Sequence, residues 1–276
     1  MEWKSEYSVG IREIDEEHKL LLGYIARLDA AREDRQRDVA VYYALGELDE
    51  YVRVHFTVEE VIMRVFGYPG RDAHVRAHRS FAEYVKSMQK AALKRDTRDE
   101  ISAFLKDWLV NHIMAADRQY ADFLRARVTD PERRLSPGRA LPEGANGYAI
   151  GIPELDEQHQ VLLECVTRLT DARDAQQREL AVFFTLREFD HYARVHFAVE
   201  EALMRMFDYP GIDAHVREHA GFVEHVESMQ KLVLQRDVRD ELFLFLQDWL
   251  AKHVRGEDRN YADYLLANTS RLAGKL

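Results

Sequence analysis

The chain has little cysteine, little proline and no excess of positive charge, and each shortage excludes something. Its single cysteine, Cys165, cannot form an intrachain disulfide, so packing has to hold the fold and a reducing, cytoplasmic setting is expected. Lys and Arg number 39 against 49 Asp and Glu in 276 residues, a formal net charge of −10. A surface of that sign repels phosphate backbones and anionic lipid, so neither a nucleic-acid nor a membrane partner is expected. No apolar run reaches transmembrane length, and Met1-Glu2-Trp3-Lys4-Ser5-Glu6 has no apolar signal core. Alternating apolar and polar residues of the kind that mark strands are also missing. What is present is a 46% share of hydrophobic residues, enough for one or two cores, and 12 histidines.

The histidines fall in a unit written twice. Tyr51-Val52-Arg53-Val54-His55-Phe56-Thr57-Val58-Glu59-Glu60 returns as Tyr192-Ala193-Arg194-Val195-His196-Phe197-Ala198-Val199-Glu200-Glu201, an offset of 141 residues. The same offset carries Tyr68-Pro69-Gly70 onto Tyr209-Pro210-Gly211 and Asp107-Trp108-Leu109 onto Asp248-Trp249-Leu250. Roughly half the aligned positions are identical, and a period this long marks a duplicated domain rather than a solenoid. Three of the six prolines (Pro131, Pro137 and Pro142) lie between the copies, in a stretch poor in apolar residues. The expected organisation is a first domain over 1–127, a linker over 128–147 and a second domain over 148–276.

Periodicity inside a copy is helical. Val41, Leu45, Leu48, Val52, His55, Glu59 and Ile62 recur at spacings of three and four. So do His74, His78, Phe81, Val85 and Met88, then Ile101, Leu105, Trp108 and His112, and finally Ile14, His18, Leu21, Leu22, Ile25 and Leu28. Gly67-Tyr68-Pro69-Gly70 punctuates them. The expected fold is all-α, two tandem antiparallel four-helix bundles.

Polar residues on those apolar stripes carry the functional argument. His55 and Glu59 are four apart, about 400° of helix, and share a face, as do His74 and His78. An unpaired carboxylate in a core costs several kcal/mol, and an unpartnered imidazole is also costly. Taken singly, each such residue reads as a hydrogen-bonded core histidine or a surface pair. Together they converge: His18, His55, His74, His78 and His112 map onto His159, His196, His215, His219 and His253, accounting for ten of the 12 histidines. A metal takes neutral imidazole nitrogens and carboxylate oxygens as ligands and balances the negative charge. The two unmatched histidines, His191 and His225, read as surface or rim residues.

An early His followed by HxxxE, HxxxH and HxxxxD resembles the ligand pattern of the hemerythrins, and the doubled pattern resembles a tandem bacterial hemerythrin (bacteriohemerythrin). The resemblance implies iron, two per domain and four per chain, with a bridging oxo or hydroxo group and O2 as ligand. It implies that His74, His78 and His112 hold one iron, His18 and His55 the other, and that Glu59 and Asp117 bridge them. In the second copy these roles fall to His215, His219 and His253, to His159 and His196, and to Glu200 and Asp258. The two aspartates enter through the resemblance alone, because five residues of α-helix turn about 500° and leave them well off the histidine face. A local distortion of the fourth helix, a π-bulge being one form, would be needed. The resemblance also places an O2 pocket among Leu21, Phe56, Trp108, Leu109, Ile113 and Tyr120, and among Leu162, Phe197, Trp249, Leu250, Val254 and Tyr261. Leu21 and Leu109 would read just as well as simple core residues, while Trp108, repeated as Trp249, is the best pocket candidate.

Five imidazoles and two carboxylates make a ligand set less anionic than that of carboxylate-rich di-iron oxidases, which favours reversible O2 binding over O–O cleavage. The expected role is oxygen storage, delivery or sensing, without enzymatic turnover beyond a weak peroxidase-type activity. The rivals are a di-iron peroxidase, a nitric-oxide-handling enzyme and an iron-buffering protein. Expected partners are O2, a reductant or an oxygen-using enzyme, and the two domains pairing within the chain. No output domain is recognisable, which speaks against sensing through a fused module. Asp15 and Asp156 read either as favourable first-turn acids or as partners of the first histidine of each set. Cys165, standing where the first copy has Tyr24, reads as a core filler.

Overall fold

Helix α1 (Arg12–Ala30), α2 (Arg37–Val65), α3 (Arg71–Ala92) and α4 (Arg98–His112) follow one another through short connections. Beyond them the chain runs through a π-helical turn at Ile113–Asp117 straight into α5 (Arg118–Val128). The second half repeats this with α6 (Pro153–Asp171), α7 (Arg178–Met206), α8 (Ile212–Leu232), α9 (Arg239–Lys252), a π-helical segment at His253–Asp258 and α10 (Arg259–Ala267). This is a computed structural model, and it describes residues 3–30, 37–128, 147–171, 178–233, 235–236 and 238–268. No strand occurs among the described residues. The chain divides into two compact units between α5 and α6, and the expected linker falls almost wholly on 129–146, outside the described residues.

In the first unit α1 packs on α2 and α4, and α3 packs on α2 and α4, which closes four helices around one core. Ile14, Leu21, Leu22 and Ile25 of α1 meet Leu45, Leu48, Val52 and Ile62 of α2, Phe81 and Val85 of α3, and Ile101, Leu105 and Leu109 of α4, all buried. The stripes read from the sequence are therefore the packed faces. Met88 and Trp108 are only half-buried, and the side chains of Leu28 and Val41 lie outside the described residues. In the second unit α6 packs on α7 and α9, and α7 on α8. Cys165 is buried there among core residues, as a filler of Tyr24's position would be.

Two backbone positions set the α2–α3 corner. Gly67, at φ 66°, takes the left-handed conformation that ends α2, while Tyr68 N–H donates to Met63 O at 2.8 Å. The second unit makes the same closure with Asp208 at φ 52° and Tyr209 N–H to Met204 O at 2.9 Å. Gly70 then opens α3, and a Cβ there would stand 2.6 Å from the Tyr68 ring. Gly211 meets the same restriction from Tyr209 at 2.7 Å. This corner starts α3 and α8 one turn before their first buried histidine.

Candidate metal centre

Each helix brings its polar residues to one level of the bundle. In the first unit α1 presents His18, α2 presents His55 and Glu59, α3 presents His74 and His78, and the end of α4 presents His112. The π-helical turn settles the aspartate. Widening the helix to i→i+5 bonding lets a residue five positions on return to the face it would otherwise miss. Asp117 thus stands with Oδ1 at 3.1 Å from His112 Nε2, and in the second unit Asp258 Oδ1 stands 3.1 Å from His253 Nε2. All fourteen side chains are buried, and Glu59, Asp117, Glu200 and Asp258 have no measurable exposure.

The donors sort into four groups, the ligand atoms of each lying within 4.8 Å of one another: Glu59, His74, His78, His112 and Asp117; His18, His55 and Glu59; Glu200, His215, His219 and His253; and His159, His196, Glu200 and Asp258. Glu59 and Glu200 each belong to two groups. Asp117 divides its oxygens, with Oδ1 at 3.2 Å from His74 Nε2 and Oδ2 at 3.2 Å from His18 Nε2. Asp258 does the same, with Oδ1 at 3.4 Å from His215 and Oδ2 at 3.3 Å from His159. Each unit therefore has a three-histidine group and a two-histidine group that share carboxylates.

A metal fits this arrangement on the protein's own terms. His112 Nε2 lies 3.1 Å from both His74 Nε2 and His78 Nε2, although at most one of two facing imidazole nitrogens can donate to the other when both rings are neutral. A separation of about 3 Å is that of adjacent ligand atoms around one ion with bonds of roughly 2.1 Å. Both oxygens of Glu59 and Asp117, both nitrogens of His18, and both oxygens of Asp258 lack a hydrogen-bond partner. Buried carboxylates left this way cost several kcal/mol, and divalent cations remove that cost.

In the metal-free protein some of the imidazoles take up the charge. Burial alone would lower the pKa of His55, but Glu59 and Glu17 outweigh it and raise it to about 9. Burial opposes protonation of His74 as well, and the negative charges of Asp117 and Glu59, 3.2 and 3.5 Å from its Nε2, raise it to about 9. His219 follows, raised to about 9 by Glu200 and Glu201 against its burial. His196 goes the other way, down to about 4, because burial wins. Burial and Glu200 push Asp258 up, yet His159 and His253 hold it down at about 2.

Sequence reasoning missed the groups on the far side of the ligand rings. His55 Nδ1 lies 2.6 Å from Glu17 Oε2, and His78 Nδ1 lies 3.0 Å from Glu60 Oε1. In the second unit the contacts are His196 Nδ1 with Gln158 Oε1 at 2.8 Å, His159 Nδ1 with the Tyr148 carbonyl at 3.0 Å, His219 Nδ1 with Glu201 Oε1 at 3.1 Å and His253 Nδ1 with Glu218 Oε2 at 3.0 Å. Such acceptors fix ring orientation and keep the proton off the ligating nitrogen. Glu60 and Glu201 repeat at the 141 offset and could have been found that way, and Tyr148 also repeats, as Tyr7; Glu17 and Gln158, and Ala77 and Glu218, differ between copies.

Asp15 and Asp156, for which two readings stood open, hold the arm ahead of each bundle. Asp15 accepts from Val9 N–H at 2.8 Å and Ser8 Oγ at 2.5 Å, and Asp156 accepts from Ile150 N–H at 2.6 Å. Arg118 and Arg125 clamp the first arm through the Glu6 and Val9 carbonyls, both at 2.6 Å.

Of the expected pocket residues, Phe56 stacks on His78 at 3.7 Å and Trp108 on His112 at 4.2 Å. Phe197 on His219 and Trp249 on His253 repeat these at 3.8 and 4.1 Å. Leu21, Trp108 and Leu109 line a small, wholly apolar cavity of about 10 Å³ with Ile25, Leu48, Val52, Phe81 and Leu105. Leu162, Leu250, Ile113 and Val254 are buried, the last two following His112 and His253 in the chain. Tyr120 and Tyr261 are fully buried, but only Tyr261 has a bond for its hydroxyl, to Glu200 Oε1 at 2.8 Å. Trp108 and Trp249 are half-buried, and the outer side of Trp249 opens on a surface groove with His225 and Phe245. His191 is exposed and His225 forms the rim of that groove.

Comparisons with known proteins agree with this geometry. The bacteriohemerythrin of Stenotrophomonas maltophilia (strain R551-3) is 34% identical over 140 residues, 49% of this chain and 89% of that protein. The bacteriohemerythrin of Pseudomonas aeruginosa (strain LESB58) is 30% identical over 137 residues, 49% and 89% of the respective chains. A hemerythrin-like protein of Naegleria gruberi is 33% identical over 122 residues, 44% of this chain and 92% of that one. No solved structure matches. The profile of the hemerythrin HHE cation binding domain matches residues 9–124 and again 150–265. With both halves matched, and with each presenting the same buried histidines and carboxylates, the chain belongs to the hemerythrin family as a tandem pair of its domains.

Proposed function

We propose that each domain binds O2 reversibly at a pair of non-haem irons, so that one chain carries two O2 sites for storage, delivery or sensing. The observation that carries this is the sharing of carboxylates: Glu59 and Glu200 each serve two donor groups, and Asp117 and Asp258 turn one oxygen to each. The family implies non-haem iron, and the relatives named bacteriohemerythrin point to the same gas. Two ferrous ions held there would together supply the two electrons that O2 uptake draws and O2 release returns.

The protein's own residues would do the rest. Glu17, Glu60, Glu201 and Glu218 accept the Nδ1 protons and keep each Nε2 free to ligate. Phe56 and Trp108 fix the planes of His78 and His112, and with Leu21 and Leu109 they keep water away. A dry wall slows the proton delivery that would turn reversible uptake into one-way oxidation. Ile113 stands where the second domain has Val254, which gives the second site slightly more room.

A second reading, a peroxidase-type activity, draws on Tyr120 and Tyr261, both fully buried, the latter with its hydroxyl donating to Glu200. One experiment separates the two. Iron-loaded, fully reduced protein is exposed to air and then degassed over repeated cycles in a spectrophotometer. A visible band that appears with O2 and is lost without it supports the carrier. One-way oxidation with turnover of added hydrogen peroxide refutes it in favour of an enzyme. Iron that stays bound with no response to O2 leaves an iron-buffering protein.

A further inference from the structure

The two centres share their ligands but not the groups behind them, and the difference follows a pattern. In the first domain the carboxylate acceptors are spread evenly: Glu17 backs His55 of the two-histidine group, and Glu60 backs His78 of the three-histidine group. In the second domain both carboxylates stand behind the three-histidine group, Glu201 on His219 and Glu218 on His253. Its two-histidine group has neutral acceptors instead, the Gln158 amide oxygen on His196 and the Tyr148 carbonyl on His159. Two substitutions at the 141 offset produce the switch. Glu17 becomes Gln158, and Ala77 becomes Glu218.

A carboxylate accepting the Nδ1 proton gives the imidazole partial imidazolate character and makes its Nε2 a stronger donor, whereas an amide or carbonyl does so far less. A stronger donor stabilises ferric over ferrous iron and lowers the reduction potential of the ion it holds. Location decides which change matters more. The Glu17 side chain is 23% exposed and touches His55 at 2.6 Å, while that of Glu218 is 46% exposed and touches His253 at 3.0 Å, where water screens it. The larger contrast therefore falls on the two-histidine irons.

Resting on the di-iron reading above, we propose that the tandem chain carries two electronically unequal centres, the two-histidine iron of the second domain having the higher reduction potential because Gln158 replaces Glu17. The two-histidine iron of the second domain then stays ferrous under conditions that oxidise its counterpart in the first, so the two domains respond over different ranges of redox conditions. Glu17 and Gln158 are positioning and tuning residues; neither touches the iron.

The test is a reductive titration of the full-length, iron-loaded chain followed by visible absorption, with electron paramagnetic resonance of the half-reduced protein and iron counted in every sample. Wild type is expected to titrate in two resolved steps. Glu17→Gln should raise the lower step alone, by about tenfold in the ferric–ferrous equilibrium, or about 59 mV for a one-electron couple. Gln158→Glu should lower the upper step alone by a similar amount. A single wild-type step, or two steps that neither variant moves, overturns the proposal while leaving a full iron complement in place. If Glu17→Gln binds iron poorly, Gln158→Glu decides, since it supplies an acceptor rather than removing one; an unmoved upper step overturns the proposal. Wild-type iron far short of one ion for each of the four donor groups overturns the di-iron reading itself.

Discussion

Replacing His112 by alanine removes one of three imidazoles from a five-donor group and leaves Glu59, His74, His78 and Asp117. Structural metal sites with four ligands bind with about 10–16 kcal/mol, so one ligand is worth roughly 2.5–4 kcal/mol, a loss of roughly 10²- to 10³-fold in affinity. Nothing nearby can substitute. The ring is buried, its Nε2 lies 3.1 Å from the Nε2 atoms of His74 and His78 and from Asp117 Oδ1, all already in the group, and the indole of Trp108 stacks on it at 4.2 Å. Glu59 and Asp117 serve both groups of this domain, so losing one ion leaves shared carboxylates uncompensated and weakens the hold on its neighbour. The expected result in His112→Ala is a fall from about four to about two irons per chain, measured by plasma mass spectrometry after dialysis against a weak chelator. His253→Ala should give the mirror result. A full iron complement in either variant refutes the ligand assignment, and loss of all the iron refutes independent sites.

Three further outcomes are expected of the metal-free protein. Tyr261→Phe deletes a bond to a buried carboxylate and should cost about 1.5–3 kcal/mol, whereas Tyr120→Phe deletes a hydroxyl with no partner and should be neutral or stabilising; equal costs in calorimetry would contradict the geometry. Gly67→Ala should cost about 1 kcal/mol at its positive φ, while Asp208→Gly should be neutral or stabilising by about 0.5 kcal/mol; urea melts decide, and an unaffected Gly67→Ala refutes the strain. The folded-state pKa values of His55, His74 and His219 are raised to about 9, so their contribution to stability is complete below about pH 6.5 and disappears as pH rises through 9. The lowered His196 and Asp258 act oppositely, losing stability as pH falls through about 4 and about 2. Thermal melts from pH 6.5 to 9.5 should therefore decline without iron and stay flatter with it, because bound iron requires neutral imidazoles. Equal slopes would sink the argument.

The fold and most of the donors were legible because a bundle writes its core as a stripe of period 3.6, and His18, His55, Glu59, His74, His78 and His112 sit on that stripe where leucines would otherwise be. The duplication made the pattern readable, since a chance histidine is not repeated 141 residues later. Asp117 and Asp258 were reachable only through the family resemblance, because their positions depend on a π-helical turn that regular periodicity cannot express. Trp108 and Phe56 were expected around O2, and they turn out to lie flat on ligand rings.

By itself, then, the sequence determined that there are two four-helix units and which side chains face inward, since both follow from local helical geometry and the cost of burying polar groups. The family resemblance already implied how those side chains sort into a three-histidine and a two-histidine group with carboxylates between them; tertiary structure alone decided which acceptor backs each ring. Those relations join residues from different helices, as His55 meets Glu17 and His253 meets Glu218. They depend on how the helices are rotated and shifted against one another, and packing sets that rather than any pattern along a single helix.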